Sequence, residues 1–169
     1  MKDKKAQIRA KLKELVAANP NLPIAAEVVS VTGNFCSVKL SGGLVLSDVR
    51  LMATLDPENG ILLTPKVGSD VLVLSQTGEL SGLFVVKVNE IDKLTCKNED
   101  FEFVIDTVLK KVTIKNSGAN VGQLIGQLID TVKSAQVIVP GAGTGTIDPA
   151  TQAQLTTIKT QFNSILNAN

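Results

Sequence analysis

Any chemistry in this 169-residue chain must come from carboxylates, lysines and two cysteines, because it contains no His, Trp or Tyr. Without imidazole, the commonest general base and the commonest metal ligand are both missing. The carboxylates Asp48, Asp56, Glu58, Asp70, Glu79, Glu90, Asp92, Asp100, Glu102 and Asp106 fall in turns or at the outer positions of alternating runs. Solvation accounts for such positions, and no acid and base pair stands out among them. Cys36 and Cys96 are isolated from one another and neither belongs to a Cys-x-x-Cys motif, so they read as small core or strand residues. Gly141, Gly143 and Gly145 resemble a phosphate cradle superficially, but no Gly-Lys-Ser/Thr follows them and no strand with dinucleotide-type glycine spacing precedes them. The expectation is no catalytic, cofactor-binding or metal site and no enzymatic activity. An enzyme working through carboxylates alone would require a divalent metal.

The elements that would position any site begin with a basic helix. Residues 1–20 carry Lys2, Lys4, Lys5, Arg9, Lys11 and Lys13 against Asp3 and Glu14, while the whole chain is only +1. Ile8, Leu12, Leu15 and Val16 place one apolar stripe on this helix, with lysines on the other side. Those lysines could touch RNA, a membrane or an acidic neighbour, but a solvated polar face is the simpler reading. Asn19-Pro20 ends the helix, and Asn21-Leu22-Pro23 reads as an extended linker. The start lacks a secretory pattern, and no segment reaches the ~20 apolar residues of a membrane span. A cytoplasmic setting follows.

From Ile24 to Asp92, β-branched and leucine-rich runs recur between Gly, Asp, Asn and Pro turns. The first three runs form a meander, and the whole predicts a five-stranded, antiparallel, OB-like barrel over 24–92. Over 93–116 short strands follow: Phe101, Phe103 and Ile105 alternate with Glu102, Val104 and Asp106, and Val112 and Ile114 alternate with Lys111, Thr113 and Lys115. Two or three such strands are marginal alone, so a helix or another copy of the chain must support them. Residues 120–169 read as a C-terminal helical hairpin. Asn120 with Gln123 forms a capping box, Leu124, Ile125, Leu128, Ile129 and Val132 supply an apolar face, and Asp148-Pro149 starts the last helix. Val137 to Thr146 reads as a low-complexity loop between the two helices. The fold class is α+β.

Three features leave alternatives open. Gly122 and Gly126 have the spacing that permits close helix approach, to the barrel or to a symmetry mate, with chance or fraying at a helix start as the alternative. Leu155, Ile158, Phe162 and Ile165 form a seam nearly two heptads long, to be buried against the preceding helix or in an intermolecular bundle. Finally, an OB-like barrel can bind single-stranded nucleic acid, but this needs aromatic platforms in a basic groove. The barrel supplies Phe35 and Phe84, with four basic side chains (Lys39, Arg50, Lys66, Lys87) against eight acidic ones. Nucleic acid is therefore the alternative partner, not the expected one.

The run VVSVTGNFCSVKLSGGLVLSDVRLMA, then NGILLTPKVGSDVLVL and GLFVVKVNEIDKL, resembles the OB-fold domain of baseplate hub, spike and baseplate-assembly proteins of contractile-tailed phages and prophages. The resemblance covers about residues 24–116 and rests on a V-x-S-V-x-G-x-x-x-x-V-x-L strand pair and a P-K-x-G-S-x-V-L-V corner. It implies a homotrimer in which short strands of neighbouring chains intertwine, other tail or baseplate proteins as partners, and a path from bacterial cytoplasm to the virion tail. The chain departs from the spike pattern by ending in helices, with no lysozyme-like insertion, β-helix repeat or His-x-His tip. The expected oligomer interface comprises Phe101, Phe103, Ile105, Val112 and Ile114 on the strands. Leu155, Ile158, Phe162 and Ile165 join it from the last helix.

Overall fold

The computed structural model describes residues 22–52, 59–76 and 78–168, together with Gln7, Ile8 and Lys11. Apart from those three residues, the basic helix expected over 1–20 lies outside the described residues, as does the Asp56–Glu58 part of the loop before β4. The chain divides into two compact units, Met1–Leu94 and Thr95–Asn169.

The first unit holds β1 (Ile24–Thr32), β2 (Phe35–Leu40), β3 (Val45–Arg50), β4 (Asn59–Pro65), β5 (Asp70–Ser75) and β6 (Leu83–Val88). Five of these close into a barrel in the order β1-β2-β3-β6-β5. β5 returns to lie beside β1, a Greek-key arrangement, and β3 runs parallel to β6. This order is compatible with an OB-like barrel. The Ile61–Leu63 run belongs to a longer strand, β4, which takes no place among the staves.

Alternation explains the core. Ile24, Ala26 and Val28 point inward from β1, Cys36, Val38 and Leu40 from β2, and Val71 and Val73 from β5. Burying each larger aliphatic side chain contributes about 1.5–3 kcal/mol. Strict alternation would also send Ser30 inward, but a bulge between Val28 and Ser30 inserts Val29 and resets the parity. Val29 is exposed and Val31 packs on the core opposite Cys36. A second irregularity sets Ser47 and Asp48 of β3 against Ser37 alone, and Asp48 absorbs it with φ of 60°. Aspartate is among the few residues that adopt this left-handed conformation readily.

The Pro65–Ser69 corner is a turn in which the Ser69 amide donates to the Lys66 carbonyl at 3.1 Å. Gly68, with φ of 83°, occupies the position that demands a left-handed residue. The Gly68 amide donates to the Val28 carbonyl and the Val28 amide to the Ser69 carbonyl, which ties the corner to β1. Lys66 also reaches Glu90 with an Nζ–Oε2 distance of 2.8 Å. That hydrogen bond, with the adjacent negative charge, raises the Lys66 pKa above its ordinary value.

In the second unit, β7 (Ile91–Asn98, which crosses the unit boundary), β8 (Phe101–Asp106) and β9 (Lys111–Lys115) are consecutive neighbours in a sheet. Then come α1 (Val121–Lys133), a two-stranded ribbon of β10 (Gln136–Val139) and β11 (Gly143–Thr146), and α2 (Pro149–Ile165). Both helices start as their sequences predict. Asn120 caps α1 by accepting from the Gly122 and Gln123 amides, and Asp148 caps α2 by accepting from the Thr151 amide, with Pro149 at the first position.

The ribbon corrects the expected loop. Ile138 pairs with Thr144 and Val137 with Gly145. Gly141 and Gly143 adopt φ of 84° and 94°, which lets the chain reverse, while the Val137-Ile138-Val139 run has the β-branched composition of a strand. The glycines serve the turn and not a flexible tether.

Candidate assembly interface

The register of β8 and β9 brings Phe103 opposite Ile114 and Ile105 opposite Val112. Cross-strand neighbours share a face, so these four residues and Phe101 form one apolar side of the hairpin. The other side carries Glu102 opposite Lys115, joined at 3.3 Å, Asp106 opposite Lys111, and between them Val104 opposite Thr113, which is buried. Phe101 is exposed and the other four are half-buried. A sheet face packed into a core would bury such residues fully.

The expected seam on α2 is also uncovered. Leu155 is half-buried, whereas Ile158, Phe162 and Ile165 are 42%, 40% and 58% exposed. α2, whose residues are all described, buries none of them. The two helices do pack together, and Lys159 bonds Asp130 across the pair. That hydrogen bond, reinforced by the charges of Lys159 and Lys133, holds the Asp130 carboxyl below its ordinary pKa of 3.8. Thus α2 touches α1 through the side that carries Lys159 and, one turn before it, the half-buried Leu155, while Ile158 and Ile165 lie off that side. The strand and seam residues meet at the C-terminal end, where Leu166 bridges Val112 and the Asn167 amide donates to the Val112 carbonyl at 2.9 Å.

This C-terminal segment also explains Gly122. A Cβ there would lie 2.7 Å from the Asn167 carbonyl oxygen and 3.2 Å from the Asn120 Oδ1 that caps the helix. Gly126 has no such constraint, since its Cβ would meet only Lys159 Cε at 3.6 Å. Close approach accounts for the first glycine of the pair and not for the second.

The sequence reading does not single out the exposure of a second stripe on α1. Ile125 and Ile129 lie on the side facing the rest of the unit, with Ile129 buried. Leu124, Leu128 and Val132, at i, i+4 and i+8, are exposed, Leu128 by 64%. Val137 and Ile138 of the ribbon are exposed too, Ile138 by 77%. The available signal was the width of the apolar set: Leu124-Ile125 and Leu128-Ile129 are adjacent pairs, and a helix covered on one side can bury only one of each.

The barrel presents less chemistry. Cys36 lies in its core, where burial pushes the thiol up to about 11, so the nucleophilic thiolate is suppressed near neutral pH. Depressions at one end of the barrel are lined by Ala25, Glu27, Lys39, Asp70 and Lys87, and Glu27 and Lys39 neutralise each other at 2.7 Å. Among the described residues, no group of three or more His, Cys, Asp or Glu could hold a metal ion. Among them, too, no helix is long and apolar enough to cross a membrane.

One barrel feature is more specific. Phe35 pairs with Arg50, Arg50 with Phe84, and Phe84 with Leu74, a row crossing β2, β3, β6 and β5. Their neighbours Cys36, Val49, Leu83 and Val73 point into the core, so the row lies on the outer surface. Arg50 bonds the neutral Gln76 there. No protein-family model matches the chain, and a search of curated proteins found no match.

Proposed function

We propose that the protein is a non-enzymatic structural subunit that acts by assembling with copies of itself, as a trimer, within a phage or prophage tail or baseplate. The observation that carries the assembly reading is the uncovered α2 seam of Ile158, Phe162 and Ile165. Contiguous apolar surface of this kind, on the order of several hundred Å² with its neighbours, is characteristic of protein–protein contact. The half-buried Phe103, Ile105, Val112 and Ile114 face adds to it. The tail assignment rests on the likeness of residues 24–116 to baseplate OB domains, and with it come other tail proteins as neighbours and residence in the virion after assembly in the bacterial cytoplasm. Replacing Phe162 by Asp places a charge in the seam and should convert the oligomer to monomer or aggregate, read by sedimentation velocity. A wild-type protein that sediments as a clean monomer at micromolar concentration overturns the reading.

The second reading is a single-strand nucleic-acid-binding module, and the Phe35–Arg50–Phe84 row favours it by placing two aromatic rings and a cation side by side on the barrel. Base stacking on such a row with phosphate at the guanidinium is the recognition mode of this class. Salt-dependent oligonucleotide binding that is lost in Arg50→Ala would support it; no binding at low salt dismisses it.

A further inference from the structure

From Asn116 to Asn169 the chain has four charged side chains in 54 residues, Asp130, Lys133, Asp148 and Lys159, against 29 in the 115 residues before. Two of the four, Asp130 and Lys159, are bonded to each other. Between Ser134 and Ile147, the stretch that forms the ribbon, there is no charge at all. Yet this neutral region carries the uncovered side chains of α1, the ribbon and α2. Depletion of charge together with exposed large apolar residues is the compositional mark of an interface core.

We infer that the β10–β11 ribbon is an arm that lays the Ile138 face on the outer stripe of α1, Leu124, Leu128 and Val132, in the next copy of the chain. The inference rests on the self-assembly reading and names a contact within it. Within one chain both pieces stay exposed, so neither covers the other. The exposed ribbon and the exposed stripe occur on the same chain, so a second copy supplies each with the other, and the neutrality of the ribbon disfavours a charged occupant. An anionic polymer or lipid surface would find no cation on the ribbon. An arm on one part of the molecule that fits a different part of the next makes a head-to-tail contact, and such contacts make a ring where the rotation between copies closes, as the trimer reading requires. A two-stranded ribbon is marginal by itself, which the neighbouring helix would remedy.

The test pairs Ile138→Cys with Leu128→Cys in the full-length chain, with the two single variants and wild type as controls for Cys36 and Cys96. After mild oxidation, the double variant should run as covalent multi-chain species ending at the trimer on a non-reducing gel, while the single variants remain single chains. Ile138→Ser should weaken association at least tenfold in sedimentation without changing the circular-dichroism spectrum. An oligomer whose double variant yields only single chains, or in which Ile138→Cys crosslinks alone, overturns the arm and leaves self-assembly standing. A monomeric wild type overturns both.

Discussion

Gly122 and Gly126 lie one turn apart on α1 and should respond oppositely to the same change. Replacing glycine by alanine in a helix ordinarily gains about 0.5–1 kcal/mol, because the unfolded chain loses freedom it no longer has to surrender. At Gly126 the new Cβ meets Lys159 Cε at 3.6 Å, an ordinary contact with the flexible end of a side chain. The full gain should therefore appear. At Gly122 the Cβ would stand 2.7 Å from the Asn167 carbonyl oxygen and 3.0 Å from its carbon, inside any real contact distance. The obstacle is backbone, anchored by the Asn167 amide on Val112, and the capping oxygen of Asn120 stands 3.2 Å away on another side. Overpacking against a fixed neighbour costs about 1–3 kcal/mol. Offset by the propensity gain, Gly122→Ala should destabilise by about 1–2 kcal/mol. Urea unfolding monitored by circular dichroism at fixed protein concentration reads both. Two stabilised variants, or two equally destabilised ones, would refute the docking of the C-terminal segment on the start of α1.

Gly68→Ala isolates backbone strain, since φ is 83° and the added Cβ meets nothing within 4 Å; a loss of about 1–2 kcal/mol in chemical denaturation is expected. Asp130, with its folded pKa lowered by Lys159, contributes stability that is present above the ordinary carboxylate pKa of 3.8 and is lost as pH falls through the lower folded value. Melting temperature should therefore drop on acidification below about pH 4 more steeply in wild type than in Asp130→Asn. Cys36 has a folded pKa raised from 9.0 to about 11, so its contribution is complete below pH 9 and fades as pH rises toward 11. At neutral pH iodoacetamide should modify Cys96, which is half-buried, well before Cys36; equal rates would contradict the packing of β2.

The barrel was legible because alternation and turn chemistry agree along it. Gly68 before Ser69, Gly43 after Leu40 and the inward series Ile24, Ala26, Val28 each report a local constraint. The bulge at Val29 was not legible, since Val28-Val29 and Val31 offer apolar residues to both faces and only pairing with β2 decides between them. The ribbon was missed because glycine and threonine mark turns more strongly than strands, and its pairing of Ile138 with Thr144 depends on a reversal at Gly141 that spacing alone does not specify. In the helices, caps and apolar periods were readable from Asn120, Asp148 and Pro149. Which stripe faces inward was not, because that depends on Lys159 meeting Asp130 and on Leu166 joining β9.

Sedimentation velocity of the full-length chain at micromolar concentration tests the central claim most directly. Self-assembly through the uncovered α2 seam predicts one species of three times the 17.8 kDa chain mass, falling to a single chain in Phe162→Asp. A wild-type protein that remains at one chain mass across that range contradicts it.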